Sequence, residues 1–189
     1  VDNGKSFFFC FDADGWMHIY KISHDGKKKE LITTVDYDAY FQAYNDKTKT
    51  IYFEASPTDA TQRYLYETNL NSKITKRVTP KEFSGTNKYE FSTDAMYAKH
   101  TNSNINRNYN SRLVALPNHK KILPKEADVF TVPKRDFSLE KFKITTVDGI
   151  EMDGIMAKPL DFDASKKYPV FFFVYGEPMM SVANDTPNF

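Results

Sequence analysis

The chain has 189 residues, 40% apolar and 15% aromatic, with 26 basic and 25 acidic side chains and a net charge of +1. This is enough apolar material for one large domain or two small ones, and charges of both signs intermixed leave no electrostatic footprint for nucleic acid or a membrane surface. Cys10 is the single cysteine, so no disulfide forms within the chain and no cysteine metal site is available; no run approaches the roughly 18 apolar residues of a membrane span.

No cofactor is called for by any motif, and no signal peptide opens the sequence. Val1 is not an initiator, so the chain is expected to be cut from something longer. Ser6–Phe11 reads as a strand, with Cys10 as a small buried hydrophobe among phenylalanines. "DADG" at Asp12 and "HDG" at His24 are hairpin signals, because Asp and Gly tolerate the dihedrals such turns need. The lysines 27–29 that follow Gly26 read as a solvated turn.

A repeat then emerges. "MHIYKI" at Met17, "RYLYET" at Arg63 and "SRLVAL" at Ser111 align, placing Ile19, Leu65 and Leu113 46 and 48 residues apart. Each is followed by a short closing strand, ending at Thr33, Thr79 and Leu123. The later copies are preceded by two more strands, "DAYFQAYN" with "TIYFEAS" and "KYEFS" with "MYAKHT". Four antiparallel strands per unit at this period predict β-propeller blades. Residues 1–124 are therefore expected to hold two complete blades preceded by most of a third. The Asn-rich stretch Thr101–Asn110 is expected to be an exposed loop. His18, His24, His100 and His119 all fall in this region and read as strand or turn residues.

Beyond Leu123 the periodicity stops. Two prolines in "PKEADVFTVPKRDF" mark residues 125–136 as a linker or crossover. From Leu139 to Pro159, polar and apolar residues alternate about a "VDG" turn, predicting an antiparallel hairpin, and "LDFDASKKY" reads as a surface turn. Val170–Val174 is an uninterrupted apolar run ended by Gly176 and Pro178. It is expected to be a parallel strand buried on both faces that delivers Tyr175 to the carboxyl end of a sheet, where ligands of α/β folds bind. A tyrosine at a strand end is otherwise a packing residue whose hydroxyl reaches water or a backbone group. Asn184-Asp185-Thr186 fits the N-glycosylation pattern, a match expected by chance in an Asn-rich chain.

"DGWMHIYKI", the "YF.AS...QRYLYE..L" pattern at Tyr52–Leu70, "DGIEMDGIMAKP" at Asp148–Pro159 and "SKKYPVFFFVYGEP" at Ser165–Pro178 together resemble the prolyl oligopeptidase family of serine peptidases, in its dipeptidyl peptidase IV branch. The resemblance covers nearly the whole chain, and its last two motifs are the more specific. It implies a mainly β fold, a partial β-propeller of four-stranded antiparallel blades followed by the N-terminal strands of an α/β-hydrolase domain over residues 137–189. It further implies a peptide substrate with proline or alanine second from the amino terminus, a bacterial periplasmic or extracellular location, and a parent protein compatible with a homodimer. Tyr175 occupies the position of the oxyanion-hole donor. A fixed hydroxyl there is chemically sensible, because acyl transfer develops negative charge on the carbonyl oxygen.

Two departures qualify the resemblance. Glu177 stands where relatives commonly carry Gly, and it is expected to point away from the oxyanion or to contact the leaving side of the substrate. No G-x-S-x-G nucleophile elbow occurs in the 189 residues. The family order places the Ser, Asp and His triad after Phe189 and the acidic substrate-binding pair before Val1, so the chain alone is expected to hydrolyse nothing. A tripeptidyl peptidase, an acylaminoacyl peptidase, an endopeptidase or a non-catalytic relative remains an alternative.

Overall fold

The computed structural model describes residues 1–176 and 181–187, and the described residues form thirteen strands and no helix. The first sheet holds β1 (Ser6–Phe11), β2 (His18–Ser23) and β3 (Lys29–Leu31) in that order. The second holds β4 (Tyr40–Asn45), β5 (Thr50–Ala55), β6 (Tyr64–Asn69) and β7 (Thr75–Arg77); the third holds β8 (Thr86–Phe91), β9 (Tyr97–Asn104), β10 (Arg107–Ala115) and β11 (Lys120–Leu123). Every ladder within them is antiparallel. A separate hairpin pairs β12 (Phe137–Thr145) with β13 (Glu151–Pro159), in continuous register from Phe137↔Pro159 to Thr145↔Glu151. Its turn needs a left-handed residue, supplied by Gly149 at φ 85°.

The three sheets pack face on face through two apolar cores. Ile19 and Ile32 of the first sheet meet Ile51, Phe53 and Ala55 of β5, with Phe8 and Cys10 packed alongside; Phe8 stacks on Phe41 at 5.5 Å. On the opposite face of the second sheet, Tyr52, Leu65 and Val78 meet Ala95 of the third, joined by Tyr89 and Phe91. β5 thus lies between two layers, which explains why its side chains are buried at consecutive positions from Thr50 to Phe53 rather than at alternate ones.

The repeat seen in the sequence is also a repeat of hydrogen bonds. Thr33 Oγ1 accepts from the Ile19 backbone N–H at 2.9 Å, and Thr79 Oγ1 accepts from Leu65 N–H at 2.8 Å. Both threonines sit just past a short closing strand, and each caps the long strand that strand pairs with.

Two expectations fail. The stretch Thr101–Asn110 is not an exposed loop but the end of β9 and the start of β10, turning only at Ile105 and Asn106. Asparagines normally signal turns because their amides compete with the backbone. Here the Asn102 amide is instead buried, donating to Ser84 O at 3.0 Å and Asn87 Oδ1 at 3.1 Å, so polar residues are accommodated within a strand. Val170–Val174 is not a buried strand: these side chains are 63–89% exposed. An all-apolar strand needs ladder partners on its edges and layers on both faces, and no strand among the described residues pairs with it.

Candidate functional site

Tyr175 follows this extended segment and is 43% exposed. Glu177, the other expected site residue, lies outside the described residues. The structure therefore places one of the two expected site residues. Of the four histidines, His18 lies in β2, His24 in a turn, His100 in β9, and His119 just before β11 at φ 52°. Among the described residues no cluster of His, Cys, Asp and Glu is arranged to hold a metal, and no helix is long and apolar enough to cross a membrane.

The densest polar chemistry lies elsewhere, in two places. In the third sheet, Tyr89 stacks on the fully buried His100 at 4.5 Å and an interplanar angle of 9°. Arg112 Nη1 donates to His100 Nδ1 at 2.9 Å, which leaves Nε2 to carry the proton and donate to Asn87 Oδ1 at 2.8 Å. His119 Nε2 lies 3.0 Å from Tyr89 Oη and 3.1 Å from His100 Nδ1. Burial holds His100 at about 2, with His119 and Arg112 acting in the same direction. Burial likewise lowers His119 to about 4, where Arg112 adds to the effect and a backbone hydrogen bond opposes it. Both imidazoles are neutral and engaged, which suits a structural role better than proton transfer.

The second place is Asp185. It belongs to no strand, yet it is only 4% exposed. Its backbone N–H donates to Thr61 O at 2.9 Å, and its carbonyl accepts from Thr86 Oγ1 at 3.0 Å. Its carboxylate accepts three bonds: from Ile105 N–H at 2.8 Å, Gln62 Nε2 at 2.7 Å and Lys141 Nζ at 2.7 Å. The donors come from the turn between β9 and β10, the segment leading into β6, and strand β12. Next to it Asn184 accepts from Arg63 Nη2 at 2.9 Å and donates to Ser181 O at 2.6 Å. Both ends of the Asn184 amide are thus occupied. Gln62, Lys141 and Asp185 line a cleft of about 610 Å³ with Arg107 and Leu139.

None of this junction was anticipated. The one sequence signal bearing on it is the pair Gln62-Arg63, which heads the "QRYLYE" segment of the family-like pattern.

Comparison with known proteins gives this arrangement a context. Residues 1–109 match the family described as the dipeptidyl peptidase IV N-terminal region. The chain belongs to the dipeptidyl peptidase IV family. Among curated relatives of that family, dipeptidyl peptidase 4 of Arthroderma otae is 26% identical over 183 residues, covering 93% of this chain and 24% of its own length. Dipeptidyl peptidase 4 of Trichophyton rubrum is 27% identical with the same coverages. The chain thus spans about a quarter of the length of the curated dipeptidyl peptidases it matches. The crystal structure of Porphyromonas gingivalis dipeptidyl peptidase 4 superposes with a TM-score of 0.80 at 21% identity, over 98% of this chain and 27% of that one. The fold described above is therefore that of one region of a dipeptidyl peptidase 4.

Proposed function

We propose that the chain is part of a serine exopeptidase of the dipeptidyl peptidase IV type, releasing N-terminal dipeptides whose second residue is proline or alanine. The observation that carries this reading is the family match over residues 1–109. The relatives named as dipeptidyl peptidases, matched over 93% of the chain, support it further. In this reading residues 1–124 are propeller blades, residues 125–136 cross over, and residues 137–189, opening with the hairpin β12–β13, are the N-terminal part of a hydrolase domain. The serine nucleophile comes from elsewhere in the parent protein, because these residues contain no G-x-S-x-G elbow.

Tyr175 has the role of oxyanion donor. When serine attacks the scissile carbonyl, its oxygen gains negative charge, and a phenol O–H aimed at it stabilises that charge more than the neutral carbonyl. Tyr175→Phe in the full-length protein removes this hydrogen bond and keeps the ring. Turnover of a Gly-Pro chromogenic substrate is expected to fall about 10²- to 10³-fold, equivalent to about 2.7–4 kcal/mol, with KM and thermal midpoint nearly unchanged. A raised KM at normal kcat would contradict the assignment.

A further inference from the structure

Strand β11 pairs with β10 at Leu113–Ala115, and the crossover that follows lies against the earlier half of β10. The Asn108 backbone N–H donates to Thr131 O at 2.9 Å, and the Asn108 amide donates to Thr131 Oγ1 at 2.9 Å. The Asn110 amide donates to Val129 O at 2.9 Å, and Lys121 Nζ donates to Glu126 O at 2.6 Å. Residues 126–131 thus form a strap across the sheet. Little apolar surface is buried beneath it, since Val129 and Val132 are each 73% exposed. Polar contacts therefore decide whether the strap stays down.

Two anchors of the strap converge on Arg112, which is 2% exposed. Its Nε pairs with Asp128 at 3.2 Å. Its Nη2 donates to Asn110 Oδ1 at 2.7 Å, which turns the amide nitrogen of Asn110 toward Val129. Its third nitrogen, Nη1, donates to His100 Nδ1 at 2.9 Å, and His119 Nε2 lies 3.1 Å from the same atom. One guanidinium therefore joins the crossover to a buried pair of imidazoles. It fits there against an unprotonated Nδ1, because a proton on that atom removes the acceptor and adds a like charge.

We infer that Arg112 is a latch: it closes the crossover onto the third sheet while His100 and His119 are neutral, and protonation of these imidazoles releases residues 126–131. The other charged and titratable groups around the pair are Tyr89 of β8, Arg107 of β10, Asp128 of the crossover, Glu82 before β8 and Arg77 of β7. Glu82 and Asp128 favour a proton on His119, but burial and Arg112 outweigh them and hold it at about 4. With the strap open, both imidazoles return toward about 6.5. The open form then binds more protons than the closed one below that pH, so opening becomes easier as pH falls toward 4.

The test is amide hydrogen exchange on the full-length protein between about pH 7 and pH 5, each rate divided by the intrinsic rate at that pH. The Asn108 amide reports docking of the strap, and the Leu65 amide, which donates to Thr79 Oγ1, reports opening of the second sheet. Opening at Asn108 is expected to rise about 20-fold over that range for each imidazole that gains a proton. Leu65 should stay at least about 10-fold better protected throughout, because the strap leaves before the sheets do. His119→Gln, which does not titrate, should make the rise at Asn108 about 20-fold smaller. Asp128→Asn should open Asn108 about 10- to 100-fold already at neutral pH. Equal opening at Asn108 and Leu65 would mean that the strap leaves only with the whole fold, and would overturn the inference. So would a pH-independent Asn108, or a full rise retained in His119→Gln. If His119→Gln does not fold, Asp128→Asn decides: undiminished protection of Asn108 would remove the latch.

Discussion

Thr79 does two things with one hydroxyl. It accepts from the Leu65 backbone N–H at 2.8 Å and bonds the Tyr89 hydroxyl at 2.9 Å, while being only 2% exposed. Valine has nearly the same shape and can do neither. Thr79→Val therefore leaves a buried N–H without its side-chain acceptor and the Tyr89 hydroxyl short of a partner, and should destabilise the chain by about 1–3 kcal/mol in urea unfolding. A loss below a few tenths of a kcal/mol would mean that water replaces the hydroxyl. Gly85 makes a different residue-scale demand. Its φ is 98°, and a Cβ there would meet the Asn104 Cβ at 2.6 Å as well as the Ser103 carbonyl, so the chain crosses β9 where only glycine fits.

Among the elements, the third sheet holds two buried imidazoles that make it sensitive to acid. In the unfolded chain His100 and His119 titrate near about 6.5, whereas in the fold burial lowers both, His119 to about 4. The folded state then binds fewer protons than the unfolded state below about pH 6.5. The stability tied to this difference is fully present above that pH and is lost as pH falls through the folded values, at about 1.4 kcal/mol per pH unit for each imidazole. A proton added at His100 Nδ1 would face the Arg112 guanidinium, which is itself paired with Asp128 at 3.2 Å, and Tyr89 caps the ring. Urea midpoints measured from pH 7 to pH 4.5 should therefore fall steeply, and His119→Gln should flatten the slope. An unaltered slope would assign acid lability to other groups. The same sheet shows why β9 and β10 were hard to read. Their buried faces carry His100, Asn102 and Arg112 beside the apolar Ala98 and Val114, so part of the alternation that reveals a strand is written in polar side chains that satisfy one another.

Across the whole molecule, what was legible in the sequence follows from how local the contacts are. The stacked sheets could be read because each is made of neighbouring hairpins, and because Ile19 with Thr33 and Leu65 with Thr79 repeat the same bond. The β12–β13 hairpin was legible for the same reason. The Asp185 junction was not, since its partners lie 44, 80 and 123 residues away and leave no periodic trace. Val170–Val174 misled in the other direction. An apolar run states a preference for burial, but the layers that would satisfy it are not among the described residues.

Strand β5 has one more implication. Ile51, Phe53 and Ala55 serve one core and Tyr52 the other, so successive side chains answer to different neighbours. A substitution in β5 injures one interface, but a one-residue deletion between Lys49 and Ile51 exchanges the two faces and mismatches both at once. Such a deletion is expected to abolish cooperative unfolding, whereas the same deletion in the exposed turn at Asn71-Ser72 should be survivable. β5 therefore behaves like a reading frame: its letters can be edited one at a time, while its count cannot change.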